Sequence, residues 1–190
     1  MKIGFHGAAR TVTGSKYLLT LDHYRLLVDC GLFQGGFEMH QRNWRPLAFS
    51  PASVDDVLFT HAHIDHAGAT AELAKRFKLP IEGPHEGDRY WIDQLPAQAR
   101  SFGFAQAETF EPDRWLQQGD TVQVGNERLE VSYCPGHTPG HVIFASTQFG
   151  VAFVGDVLFQ GSIGRTDFPR GDYDTLIRSI HEHLFPLGDD

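Results

Sequence analysis

The chain has 190 residues, 41% of them hydrophobic and 21% charged, with a net charge of −8. That length suits one domain spanning residues 1–190 with a full core, and no apolar run approaches the roughly 20 residues of a membrane span. The acidic balance argues against broad binding to a nucleic-acid backbone, and Met1-Lys2-Ile3-Gly4-Phe5-His6-Gly7 has no secretory signal pattern.

Ile3–Phe5, Tyr17–Leu21 and Arg25–Asp29 are short apolar runs and predict successive strands. Residues 31 to 51 carry Gly35-Gly36, Pro46 and Pro51 and predict a long surface loop. Val54–Phe59 predicts a buried strand, and the alanine-rich run Ala67 to Phe77 predicts a helix. From Glu86 to Phe104, the residues Trp91, Ile92, Leu95 and Phe102 recur at helical intervals, with an interruption at Pro96. The strands Thr121–Val124, Leu129–Cys134, Val142–Ala145 and Val151–Val154 follow, and Asp172 caps a closing helix that runs to about His183. Two groups of strands with helices outside predict a layered α/β sandwich, helix–sheet–sheet–helix. Cys30 and Cys134 lie in apolar, strand-like contexts and read as buried thiols of a reduced compartment, so the expected location is the cytoplasm.

The stretch Thr60-His61-Ala62-His63-Ile64-Asp65-His66 places three histidines and an aspartate within six positions, on the loop between the Val54–Phe59 strand and the next helix. A single loop histidine is ordinarily solvated, but four groups this close form a ligand set for Zn²⁺, Fe²⁺ or Mn²⁺. Two further loops offer candidates. Cys134-Pro135-Gly136-His137-Thr138-Pro139-Gly140-His141 repeats a Pro-Gly-His unit with restricted backbone. Asp156 ends the apolar run Val151-Ala152-Phe153-Val154-Gly155, where a carboxylate is costly unless paired or metal-bound. All three loops leave strand ends, so one edge of the sandwich can gather them.

The set His61-X-His63-X-Asp65-His66, then His137, then Asp156, resembles the metallo-β-lactamase-fold superfamily. The resemblance implies a four-layer αββα sandwich, with His61, His63 and His137 at a first metal site. It implies Asp65 and His66 at a second site, with Asp156 bridging. Zinc is the implied cofactor, one or two ions per chain, with iron as the other candidate at the first site.

From about Glu72 onward the chain resembles the short bacterial glyoxalase-II-like hydrolases, through Leu95-Pro96-Ala97-Gln98, Pro112-Asp113-Arg114-Trp115-Leu116, the Cys134–His141 loop and the run from Gly161 to Gly171. From Met1 to about Gly68 it is similar instead to the β-CASP nucleases of RNA processing. The matching runs there are Gly7-Ala8-Ala9-Arg10-Thr11-Val12-Thr13-Gly14-Ser15, Val28 to Gly35, and Arg42-Asn43-Trp44. The two resemblances meet at the histidine cluster, as in a chimera joined there; a divergent natural member is the other reading. The superfamily places a last histidine on a Pro-Gly-His turn beyond the closing helix, whereas this sequence ends Leu187-Gly188-Asp189-Asp190. The sandwich is therefore expected to lack its last edge strand, and the second site to keep only Asp65, His66 and Asp156. His181 and His183 are expected on the surface.

The resemblance implies hydrolysis of a small-molecule thioester of the S-acylglutathione type by metal-activated hydroxide. Asp65 would anchor the nucleophile, and Arg165 and Arg170 would bind substrate carboxylates unless Asp167 or Asp172 occupies them. His141 would stand behind the ligands or in the pocket wall. A mononuclear iron persulfide dioxygenase using His61, His137 and Asp156 is the alternative, since its relatives share the Gly164–Phe168 run. RNA cleavage is the weaker reading, because a β-CASP clamp needs more chain than lies between His66 and Asp156; a chimera with little or no activity is the last. No nucleic-acid or membrane partner is expected, and the oligomeric state is left open.

Overall fold

Backbone and side chains are described by a computed structural model for residues 1–9 and 11–188. Arg10, within the Gly7–Ser15 run, and Asp189-Asp190 lie outside the described residues. Five strands form the first sheet: β1 (Lys2–Phe5), β2 (Tyr17–Leu21), β3 (Tyr24–Val28), β4 (Asp56–Leu58) and β5 (Ile81–Glu82), in sequential order. The first three are antiparallel, and β4 and β5 add in parallel, with Leu27 opposite Val57 and Val57 opposite Ile81. The second sheet is an antiparallel meander of β6 (Thr121–Val124), β7 (Glu127–Tyr133), β8 (Val142–Ser146) and β9 (Val151–Phe153). A small hairpin, β10 (Leu158–Phe159) and β11 (Ser162–Ile163), stands apart.

Strand periodicity builds the layers, because successive side chains leave a strand on opposite faces. Leu19, Leu26, Val28 and Leu58 turn inward to meet Val122, Val131, Phe144 and Phe153 of the second sheet. Their neighbours Leu18, Leu27, Val57 and Phe59 turn outward, onto a helical layer that supplies Ile64, Leu73, Ile92 and Leu95. On the far side, Ile143 of β8 packs with Leu176, Ile180 and Leu184. The result is the expected αββα sandwich, and among the described residues no strand follows the closing helix.

The helical layer comprises α1 (Phe37–Arg42), α2 (Ile64–Ala67), α3 (Thr70–Phe77), α4 (Arg89–Asp93) and α5 (Leu95–Ser101). Pro96 does interrupt the middle segment, but by standing in the first turn of α5, where its missing N–H costs nothing. The expected loop over 31–51 contains α1, a helix with no buried residue and hence no apolar period to read. The helix expected over 67–77 begins later, as α3 at Thr70, and α2 is a separate single turn inside the histidine cluster. The closing helix α6 (Tyr173–Ser179) continues as a π-helical turn, Ile180–Leu184, and Asp172 Oδ1 caps it by accepting from Thr175 N at 2.7 Å. Both cysteines are buried free thiols, and burial pushes Cys30 up to about 11 and Cys134 up to about 12. Among the described residues no helix is long and apolar enough to cross a membrane.

Candidate metal centre

The parallel pairing of β3 with β4 brings two strand ends together, and Asp29 N extends the ladder to Leu58 O at 2.8 Å. The chain leaving β3 then lies against α2: Cys30 N donates to His66 O at 2.7 Å and Leu32 N to Ile64 O at 3.0 Å. Gly31 permits this approach, since a Cβ there would stand 1.6 Å from Asp65 O. Gly164 plays the same part across the site, where a Cβ would meet Asp156 O at 1.7 Å.

Two groups of ligand atoms result, each gathered within 4.8 Å: His61, His63 and His137, and His61, His66 and Asp156. The first brings together the three residues expected at a first site. The second has His66 and Asp156 as expected, but shares His61 and leaves Asp65 outside. The Asp65 carboxyl lines the same cleft, and burial pushes it up to about 6. His181 and His183 join neither group, and His181 is exposed.

Hydrogen bonds assign the ring tautomers. A carboxylate only accepts, so His66 Nδ1 donates to Asp29 Oδ2 at 2.7 Å, and its Nε2 faces Asp156 Oδ1 at 3.2 Å. Asp156 and Asp29 outweigh burial and raise His66 well above the ordinary imidazole value, so Nε2 carries a proton that a bound metal ion would displace. Two acceptors at that distance need a cation or a proton between them. His137 Nδ1 donates to the Arg165 carbonyl at 2.7 Å, which turns its Nε2 toward His63 Nδ1 at 2.9 Å. Thr60 Oγ1 reaches both Asp29 oxygens at 3.1 Å and takes a proton from His61 Nδ1 at the same distance. That leaves His61 Nε2 a buried lone pair with no hydrogen-bond partner. Burial, reinforced by the neighbouring imidazoles, holds His61 and His63 well below the ordinary imidazole value, and burial lowers His137. Neutral imidazole is the form that ligates. Around Asp156, burial is outweighed by His66, His137 and His141, so its carboxyl stays ionised. An orphaned nitrogen, fixed tautomers and an imidazole–carboxylate donor set fit a divalent zinc or iron ion.

Two buried aspartates that the sequence reading did not assign organise the centre. Asp29 also accepts from Ser15 Oγ and Thr60 N, both at 3.0 Å, and so fixes the His61 and His66 rings together. Asp88 accepts from Ala62 N at 2.9 Å, Thr138 Oγ1 at 3.0 Å and Gly140 N at 2.6 Å, tying the two histidine loops to each other. Asp29 carried a readable signal: like Asp156, it is a carboxylate ending an apolar strand. Asp88 carried none, because it follows no apolar strand.

His141 is behind the ligands, as expected. Its ring stacks on His61 at 4.6 Å, and its Nε2 accepts from Asp156 N at 3.1 Å. His141→Ala is expected to weaken metal binding at the Asp156 side roughly 10–100-fold, the usual cost of losing such a supporting partner. Competition with a coloured chelator measures it, and unchanged affinity would remove His141 from the site's support. Arg165 forms a two-point ion pair with Asp167, both contacts at 2.7 Å, and lies over the Phe168 ring. Arg170 lies over the Tyr90 ring, 4.0 Å from its centroid. The Arg165 guanidinium is thus engaged by Asp167, and Arg165 contributes its carbonyl to the centre instead.

The metallo-beta-lactamase superfamily model matches residues 10–188. The chain belongs to the metallo-beta-lactamase superfamily. The hydroxyacylglutathione hydrolase GloC of Haemophilus influenzae is 50% identical over 135 residues, 70% of this chain and 64% of the relative. Ribonuclease TTHA0252 of Thermus thermophilus is 34% identical over 88% of this chain and 39% of its own length. Persulfide dioxygenase ETHE1 of Bos taurus is 38% identical over 67% of this chain and 42% of its own. The chain thus spans less than two thirds of each of these relatives, which include both kinds of protein that its two halves resemble. Among solved structures, BLEG-1 B3 metallo-beta-lactamase superposes with a TM-score of 0.77 at 30% identity, covering 99% of this chain and 88% of that one. TTHA1623 in a di-iron-bound form gives 0.74 at 30%, covering 97% and 86%.

Proposed function

We propose that this chain is a metal-dependent hydrolase of small thioesters of the S-acylglutathione type. The carrying observation is the pair of ligand groups sharing His61, of which His63, His137 and Asp156 line a cleft of about 700 Å³. His61, His63 and His137 hold one divalent ion, and His66 and Asp156 hold a second or steady the first. An ion held there lowers the pKa of water to about 7 and supplies positive charge for a developing oxyanion. Asp65, on the same cleft wall, accepts a hydrogen bond from the attacking water and fixes its direction. Trp91 and Phe168, whose rings lie 4.4 and 4.9 Å from that of His63, enclose the acyl group and exclude bulk water. As the carbonyl carbon–sulfur bond breaks, the thiolate leaves with little acid assistance, since free thiols ionise near pH ~8.5.

The similarity to GloC supports this reading. The cleft chemistry speaks against RNA: among the described residues Arg165 is its one arginine or lysine, and Asp167 neutralises it. A second reading, persulfide dioxygenation by one iron, is favoured by the two-histidine, one-carboxylate subset His61, His137 and Asp156, in which His137 Nε2 lies 3.6 Å from Asp156 Oδ2. Metal analysis of the purified chain, with thioester hydrolysis and oxygen uptake measured side by side, separates the two. Chelator-sensitive release of glutathione from S-lactoylglutathione is the expected result. Stoichiometric iron and oxygen uptake with glutathione persulfide, without hydrolysis, would overturn it.

A further inference from the structure

A second cleft, of about 660 Å³, lies between α1, the 45–51 segment and α3, and among the described residues shares no lining residue with the metal cleft. Its walls are mainly apolar, with Phe5, Phe33, Leu47 and Leu73 among them. Yet among the described residues four of its lining side chains are cationic, Lys16, Arg42, Arg45 and Arg76, against the single carboxylate of Glu72. In a chain of net charge −8 this is a local reversal of sign.

Lys16 is the informative member. Its side chain is buried, at 6% exposure, and its ammonium lies 4.9 Å from the centroid of the Phe33 ring. It donates to two backbone carbonyls, those of Gly14 and Gly31. An ammonium carries three N–H donors, so among the described residues one has no protein acceptor. Among the described residues the lysine and arginine ion pairs are those of Arg89, Arg114 and Arg165 alone, so none of the four cations at this cleft has a carboxylate partner. Burying an ammonium against neutral carbonyls is unfavourable, and a counter-ion would offset part of that cost. Burial duly pulls Lys16 below its ordinary value, against the opposing influence of Cys30 and Asp29. The Arg42 guanidinium lies over the same Phe33 ring, 5.6 Å from its centroid, so two cations flank one aromatic wall.

We propose that this cleft binds an apolar anion: a carboxylate or phosphate head on a hydrocarbon tail. The head pairs with Lys16 and takes further charge from Arg42, Arg45 and Arg76 at the rim. The tail lies along Phe5, Leu47 and Leu73. The volume is within the range of small-ligand sites, roughly 300–1,000 Å³. The inference is independent of which reaction the metal cleft carries out.

Calorimetric titration of the full chain with decanoate, decyl phosphate and decanol tests it. Both anions are expected to bind at least tenfold more tightly than decanol, and the tighter of the two identifies the head. Lys16→Met is expected to weaken decanoate at least tenfold. Arg76→Gln, at an exposed position that does not threaten folding, is expected to weaken it severalfold with metal content unchanged. His61→Ala is expected to leave decanoate binding intact. Equal binding of decanol, no anion binding by the wild-type chain, unchanged affinity in Arg76→Gln together with a folded Lys16→Met, or loss of binding in His61→Ala would each overturn the proposal.

Discussion

Replacing His61 with alanine is expected to abolish metal-dependent turnover while leaving the chain folded. His61 is common to both ligand groups, so its loss removes a donor from each at once. Losing a residue that merely supports a ligand costs metal affinity roughly 10–100-fold, so losing a shared ligand should exceed about a hundredfold. The fold should tolerate the change, because Thr60 keeps its contacts to Asp29 without the His61 ring. His63→Ala and His137→Ala disturb only the first group and should be milder at the Asp156 side. Metal content after dialysis, read beside the melting temperature, checks the result. Normal metal content in His61→Ala would refute the shared-ligand assignment.

Asp29→Asn should show a different loss, since it preserves volume while turning one acceptor into a donor. In the present network the Asp29 carboxylate accepts a hydrogen bond from His66 Nδ1, so that Nε2, which faces Asp156, is the nitrogen that can ligate once a metal ion displaces its proton. The asparagine oxygen is best kept for Thr60 N, which turns the amide NH₂ toward His66. An NH₂ group can only donate, so the ring must carry its proton on Nε2, where it can no longer ligate. The metal held through His66 and Asp156 should be lost while His61, His63 and His137 retain theirs. Asp29→Ala goes further, because it leaves Ser15 Oγ, Thr60 N and His66 Nδ1 without an acceptor. Removing one partner of such a buried pair costs about 3–5 kcal/mol. Metal stoichiometry separates the two variants from wild type, and denaturant melts separate them from each other. Full metal content in a stably folded Asp29→Asn would show that Asp29 does not set the His66 tautomer.

The layers of the sandwich were legible because strand periodicity is local. Leu18 and Leu19, or Leu26 and Leu27, declare opposite faces within adjacent positions, and the structure sends them to separate cores. The first ligand group was legible for a related reason: a strand end, a one-turn helix and a Pro-Gly-His loop leave few directions for His61, His63 and His137. Short elements were missed where no period could form. β5 has two residues, the β10–β11 hairpin two per strand, and α1 buries none of its side chains.

What the sequence by itself determined, then, is the metal-ligating character of the chain and the layered architecture that displays it. Only the tertiary structure decided how the ligands are held and which side chains are already engaged. His66 is oriented by an aspartate 37 residues earlier, the two histidine loops are joined through an Asp88 bond spanning 52 residues, and Arg165 is occupied by Asp167. The same holds for Lys16, whose missing counter-ion becomes visible only once its surroundings are assembled. Spacing and periodicity are written along the chain, whereas a proton's position or a charge's partner depends on groups that folding brings together from distant segments.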